Sequence, residues 1–319
     1  MSSEKLKTID LFAGMGGLGL GFSSVGFETV FANDCDKWCK ITYDKNTQHA
    51  KLTLKSLYDV TAEEIPPYDI LLGGFPCQPF SSAGPQKGFE DARGTLIFEV
   101  VRLLRETRPK AFLLENVLGI LSHNKGQTFA VILDTLQNDL GYFVKYAVLD
   151  TQTHANLPQH RKRVFMVGFL DKKHYDAFTF PEKIPLTVTL KDVFEETVDD
   201  DSFYYKKNTV TYSRLEPIVT KRYTTYKYHR SYRIEEKKGN VCNTLRAAMG
   251  LAVNSRPIIL DARGIRQITP RECARLQGFP ENFDISGIPK NQIYRQLGNA
   301  VTYTLAQRLG QQMLLAFNA

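Results

Sequence analysis

Several absences narrow the possibilities before any motif is read. No apolar run approaches the ~20 residues needed to cross a bilayer, and the polar stretch Met1 to Thr8 has no signal-peptide core. Five cysteines at irregular spacing, Cys35, Cys39, Cys77, Cys242 and Cys273, do not form a disulfide framework. Their odd number points to reduced thiols, so a soluble cytoplasmic protein is expected. Cys35 and Cys39 have no matching second pair and the six histidines are scattered, so no metal site is expected. Internal repeats and low-complexity tracts are also missing. With 319 residues, 43% hydrophobic and 24% charged, the composition excludes wholesale disorder, a collagen-like repeat and a coiled coil.

The chain is basic, with 41 Lys+Arg against 34 Asp+Glu and a net charge of +7. The window from Phe203 to Lys238 holds ten basic and three acidic residues, enough to account for that whole excess. It also holds seven of the fifteen tyrosines. Such clustering suits a polyanion, although a solvated β surface has a similar composition.

Apolar runs at Leu6–Phe12, Phe27–Ala32, Tyr68–Gly74, Lys110–Glu115 and Tyr142–Leu149 read as strands. Between them, Leu18–Val25, Asp36–Asn46, Thr95–Thr107 and Gln127–Leu140 have helical spacing. This alternation predicts an α/β fold with a doubly wound, mostly parallel sheet. Arg163–Phe169 is a further strand, expected to form an antiparallel hairpin with Tyr142–Leu149 at the sheet edge. After Phe180 short Tyr/Thr/Lys-rich runs replace the helical periods, which predicts a smaller, strand-rich domain. Helical signals return at Pro270–Leu276 and Thr302–Ala316. The expected division is 1–180, 181–283, and a return to the first domain over 284–319.

Phe12-Ala13-Gly14-Met15-Gly16-Gly17 follows the first strand, where glycines let a ligand lie against the backbone at a helix N-terminus. Asp34, twenty residues after Gly14, can hold a ribose hydroxyl pair. The pattern fits NAD or S-adenosylmethionine equally, and also a tight structural turn. Gly74-Phe75-Pro76-Cys77-Gln78 and Glu115-Asn116-Val117 each follow a strand, which puts a thiol and a carboxyl at the ligand-binding edge of the sheet. Those two groups suit nucleophilic attack followed by acid/base work. An inert buried thiol and a helix-capping carboxylate are the plainer alternatives. The loop Ser81 to Gly94 is long and polar enough to act as a lid. Arg161 and Arg163, two apart, are expected on one face of a strand, where paired guanidiniums suit anionic or carbonyl groups.

Together these segments resemble a bacterial-type DNA (cytosine-5)-methyltransferase over nearly the full length. The likeness continues in order through Gln159-His160-Arg161-Lys162-Arg163, the run Pro270 to Pro280, and Gln296-Leu297-Gly298-Asn299-Ala300-Val301. It implies that Cys77 adds to C6 of a cytosine flipped out of duplex DNA, and that the methyl of S-adenosylmethionine passes to C5. By the same resemblance Glu115 holds the N3/N4 edge, Arg163 the O2 side, and Arg161 supports the base and the Cys77 loop. Phe12, Gly14, Gly16, Asp34, Cys35, Asp59, Val60, Pro76, Leu96 and Asn299 are the implied cofactor residues. Cys35 departs from the aromatic common at its position, and Ala83 from the polar residue that some relatives insert into the flipping gap. The strand-rich segment becomes a target-recognition domain, with Arg230, Arg233, Thr244 and Arg246 as candidate DNA contacts. The resemblance further implies a cognate restriction endonuclease acting on the same site, a monomer on DNA and a nucleoid-associated bacterial enzyme. A tRNA methyltransferase of the same fold is the first alternative; a non-catalytic binder or an NAD enzyme is the other.

Overall fold

The computed structural model describes residues 5–76, 96–229, 233–251 and 255–319. Cys77, the Ser81–Gly94 loop with Ala83, and Arg230 lie outside the described residues. The chain divides into two compact units, one of residues 1–149, 162–181 and 306–319, the other of 150–161 and 182–305.

The first unit is built on a seven-stranded sheet. Its strands are β1 (Lys7–Leu11), β2 (Glu28–Asp34), β3 (Leu52–Leu54), β4 (Ile70–Gly74), β5 (Ala111–Val117), β6 (Phe143–Asp150) and β8 (Lys162–Phe169), in the order β3-β2-β1-β4-β5-β8-β6. The two-residue β7 (Gln159–His160) belongs to the second unit. From β3 to β5 all neighbours are parallel, and the chain reverses direction across the sheet between β1 and β4. Strand β8 pairs antiparallel with β5 and separates it from β6. The expected pair of strands is therefore adjacent, with β6 at the edge and β8 inserted beside the parallel set.

Central strands buried on both faces account for the unbroken apolar runs. Ile70, Leu71 and Leu72 in β4 and Ala111, Phe112, Leu113 and Leu114 in β5 are wholly buried. The helix Leu96–Thr107 supports one face through Ile97, Val100, Val101, Leu103 and Leu104, an i, i+3, i+4, i+7 stripe. Gly141 adopts φ +71° after the following helical segment, as a terminating glycine does. That segment is α-helical only over Gln127–Asp134 and widens to a π-turn over Thr135–Asp139.

The second unit carries a four-stranded antiparallel sheet of β9 (Tyr226–Tyr228), β10 (Ile234–Glu236), β12 (Ile258–Leu260) and β13 (Ile265–Gln267), ordered β10-β9-β12-β13. The short strand β11 (Cys242–Asn243) pairs in parallel with β7. Leu215, Val219, Tyr226, Tyr228, Ile258 and Ile265 form the apolar core beside the sheet. Next to it, Arg266 is fully buried between Asp261 (2.5 Å) and Glu272 (2.7 Å). Glu272 also closes a capping box with Thr269 at the start of the helix Pro270–Leu276.

Residues 284–305 group with this second unit rather than with the large sheet, and the return to the first unit comes at 306. The reason is the helix Lys290–Asn299, which has no strong signal in the sequence. Gly298 and Gly250 let it lie flush on the turn Ala247–Gly250, where a Cβ at Gly298 would come within 2.1 Å of the Arg246 carbonyl carbon. The segment 150–161 joins the same unit through β7, which shifts the first boundary from 181 as well.

Candidate active site

Register brings the motifs of the first unit to one edge of the sheet. Leu11 lies beside Asn33 on one side and Gly73 on the other, and Gly74 lies beside Glu115. The turn after β1, Asp34 at the end of β2, Pro76 after β4 and Glu115 in β5 thus share the carboxyl ends of parallel strands. In an open α/β sheet this is the ligand-binding edge, and the reversal between β1 and β4 opens the crevice.

The turn after β1 is held in unusual backbone. Phe12 takes φ +54°, Gly14 φ +57° and Gly16 φ +98°, and a Cβ at Gly16 would meet Leu20 Cδ1 at 2.5 Å. Asp34 fixes the turn from β2. Its Oδ2 accepts from the Gly14 amide at 2.9 Å and its Oδ1 from the Asp36 amide at 2.9 Å. Burial, the largest influence on Asp34, pushes its pKa up despite these amide donors. A half-buried acceptor beside a glycine cradle has the chemistry to take ribose hydroxyl donors, so the residues fit a nucleoside cofactor. Phe12 and Leu96 both pack on the apolar cluster beneath this edge. Cys35 is exposed. Asp59 is exposed at the end of the 3₁₀ turn Leu57–Asp59, while Val60 is buried. Arg102 clamps this turn by donating to the Val60 carbonyl at 2.8 Å, with Glu99 and Glu106 on its other nitrogens.

Sequence reasoning passed over Asp10. It is buried in β1, its Oδ2 accepts from the Gly19 amide at 3.0 Å, and its Oδ1 has no hydrogen-bond partner among the described residues. Desolvation raises its pKa to about 7, outweighing the Gly19 amide, with the nearby negative charge of Asp34 adding to the rise. A Cβ at Gly19 would come within 2.3 Å of Asp10 Oδ2, so the glycine there is required by the carboxyl. A charged residue inside an apolar strand was the signal available.

Glu115 is nearly buried and accepts from Arg163 Nε at 2.9 Å. The pair is cross-strand, since β5 and β8 run antiparallel here with Glu115 opposite Phe165 and Val117 opposite Arg163. Asn116, also missed, donates from Nδ2 to the Phe75 carbonyl at 3.0 Å and accepts the Val117 amide. It therefore ties the end of β5 to the end of β4, just before Pro76 and Cys77. Pro76 itself is exposed.

Arg161 is not a companion of Arg163 on one strand face. It precedes β8, is 1% exposed, and belongs to the second unit. Its Nη1 donates to the Leu245 carbonyl at 2.9 Å and its Nη2 to the Ala300 carbonyl at 2.7 Å, with the Gly298 carbonyl at 3.3 Å from both. A planar fork of donors suits three converging carbonyls, so Arg161 positions backbone rather than presenting its charge. Asn299, between two of those carbonyls, is exposed at the end of its helix.

Thr244 likewise spends its hydroxyl inside the unit, on the His160 carbonyl at 2.7 Å, while the Leu245 amide donates to Gln159 Oε1. Gln277, in the run Pro270 to Pro280, bridges Gln159 and the Leu297 and Ala300 carbonyls. These motifs lock the frame of the second unit together. Of the other candidate DNA contacts, Arg233 is exposed 3.8 Å from Glu235, and Arg246 is exposed. Much of the basic window is balanced locally: Lys221 pairs with Glu236, Arg222 with Glu196 and His229 with Glu235.

Among the described residues no His/Cys/Asp/Glu cluster could hold a metal, and no helix is long and apolar enough to cross a membrane.

Comparison with known proteins agrees with this geometry. The model of the C-5 cytosine-specific DNA methylase family matches residues 6–315. The Type II methyltransferase M.Bsp6I of Bacillus sp. (strain RFL6) is 41% identical over 97% of this chain and 98% of its own. The Type II methyltransferase M.HaeII of Haemophilus aegyptius is 38% identical, over 99% of this chain and 95% of its own. Among solved structures, the S. pombe Dnmt2 methyltransferase superposes with a TM-score of 0.73 at 20% identity, over 99% of this chain and all of that one; at this identity the likeness is one of fold. The chain therefore belongs to the C-5 cytosine-specific DNA methylase family.

Proposed function

We propose that this protein methylates C5 of a cytosine in double-stranded DNA as the Type II modification enzyme of a restriction-modification system. A restriction endonuclease with the same recognition site is its expected counterpart, and it acts as a monomer on DNA. The family model is one of DNA methylases, which favours DNA over the tRNA alternative. The observation that carries the catalytic reading is the buried Glu115, ion-paired to Arg163 and aligned in the sheet with Gly74, which precedes Cys77 by three positions in the sequence.

S-adenosylmethionine, when bound, supplies an electrophilic methyl group. Phe12, Gly14, Gly16 and Asp34 would hold its adenosine part, with Asp59 and Val60 at the adenine and Pro76 and Leu96 on the methionine side. Cys35, exposed beside Asp34, stands where an aromatic would add a stacking surface. The remaining chemistry belongs to this chain's side chains. Cytosine C5 is a poor nucleophile until a group adds across the C5–C6 bond. The Cys77 thiolate forms a bond to C6, and Glu115 at the N3/N4 edge stabilises the ring as it becomes enamine-like. Arg163 holds the Glu115 carboxylate in place and addresses the O2 side. Once C5 is alkylated, loss of its proton and elimination of the thiolate restore the aromatic ring. Because C6 is unreachable within a stacked duplex, the base must be flipped, at a cost of a few kcal/mol.

Transfer of tritiated methyl groups from S-adenosylmethionine to duplex DNA tests this reading. Cys77→Ala should abolish transfer while leaving DNA binding intact, and wild-type protein should form a covalent adduct with duplex containing 5-fluorocytosine. Label in tRNA alone, or full activity in Cys77→Ala, defeats it.

A further inference from the structure

The second unit contains a polar cavity of about 300 Å³ between β9, β11 and the start of β12. Lys227, Arg246 and Arg256 line it together with Asn243, Thr225 and Ser255, and among the described residues no carboxylate does. Of these three cations Lys227 belongs to the basic window, whose Lys221 and Arg222 are each paired with a carboxylate, and Arg246 and Arg256 lie beyond it. One carboxylate does oppose Lys227 across the β10–β9 ladder, that of Glu235, and His229 engages it at 2.8 Å.

The cavity wall is built in advance of any ligand. Arg256 donates from Nε to the Met249 carbonyl and from Nη1 to Gln267 Oε1, both at 3.0 Å, and stacks 4.0 Å over the Tyr294 ring. The backbone of Arg246 is pinned from behind by the Gly298 contact and by the bond from the Met249 amide to its carbonyl. Asn243 sits in β11, which β7 holds in register. Both Arg246 and Lys227 thus project from fixed backbone, which lowers the entropy lost when they engage an anion.

We propose that this cavity receives a phosphodiester group of the DNA backbone. The inference rests on the DNA reading above and gives that reading a specific contact. A concave wall that carries three cations among neutral polar side chains suits a tetrahedral anion that projects into it. A base edge is read the other way, by a protein side chain projecting into the groove. Arg246, a candidate DNA contact from the sequence, is therefore a backbone contact. It sets register and affinity without carrying sequence information.

The test is binding of the full-length protein to labelled duplexes, with and without the recognised site, across 50 to 200 mM KCl. Lys227→Gln and Arg246→Gln should each make the plot of log affinity against log salt shallower by about 0.9. The ratio of wild-type to variant affinity should accordingly shrink about 3.5-fold across that range. The loss should be equal for cognate and unrelated duplexes, and Arg246→Lys should keep the slope. An unchanged slope with lost discrimination at one base pair would assign the cavity to base readout and overturn the proposal. Unchanged slope and unchanged discrimination would remove it from the DNA interface. Inorganic phosphate should compete with DNA better than chloride of equal ionic strength in wild type but not in the double variant; phosphate binding that leaves DNA affinity untouched would make it a site for the free anion and overturn the proposal. Wild-type protein that neither binds nor methylates duplex defeats the functional reading itself, a result distinct from all of these.

Discussion

Asp10 offers a quantitative test of how the cofactor edge is built. Its carboxyl is buried in β1 with one oxygen on the Gly19 amide, and its pKa stands at about 7 rather than 3.8. A raised folded-state value means that the protonated form is favoured by folding. The associated stability is fully present below pH 3.8 and is lost as pH rises through 7. With these two values, burying Asp10 costs roughly 2 kcal/mol at pH 5 and roughly 4 kcal/mol at pH 8. Asp10→Asn removes the titration while retaining an acceptor for Gly19, whatever constant offset the new amide introduces. The stability difference between variant and wild type should therefore move in the variant's favour by about 2–3 kcal/mol from pH 5 to pH 8. The chain has a single tryptophan, Trp38, in the helix Lys37–Asn46 of the same unit, so urea unfolding followed by its fluorescence reads the correct region. Parallel stability curves for the two proteins over that range would refute the reasoning, because they would mean that Asp10 is ionised in the folded state.

Two further outcomes follow from the geometry. Arg266→Met should destabilise the second unit by about 3–5 kcal/mol, because it strands Asp261 and Glu272 as uncompensated buried charges; thermal unfolding measures this, and a loss below 1 kcal/mol would contradict it. Glu115→Gln should lower single-turnover methylation by roughly 10²–10⁴ while DNA affinity stays unchanged; activity within tenfold of wild type would remove Glu115 from the chemistry.

The parallel strands were legible because burial on both faces demands unbroken apolar runs, as in β4 and β5. Their carboxyl-end motifs were legible too, since a glycine turn, an acid after the second strand and Glu115 all sit where strand ends align. What escaped was set by contacts between residues far apart in sequence. The helix Lys290–Asn299 has low intrinsic apolar character and lies close on the Ala247–Gly250 turn through Gly298 on its own side and Gly250 on the turn's. Three-residue β3 is too short to show a period. Arg161 and Thr244 looked like ligand contacts because charge and hydroxyl groups usually face outward. Their partners are backbone carbonyls 84 to 139 residues away, which no local pattern reveals.

The helix Tyr303–Asn318 has a consequence for synthesis of the protein. Gly310 lies within 2.9 Å of Val25 Cγ2, measured from its missing Cβ, and Phe317 meets Phe169 edge-on with ring centroids 5.9 Å apart. A layer over the first-made part of the chain is thus supplied by a segment that leaves the ribosome some 280 residues later. While translation proceeds, Phe22 and Phe27 wait without that cover. An amber codon near position 306 should then yield a nascent product that chaperones retain and proteases clear, even though every motif of the cofactor edge has already been made.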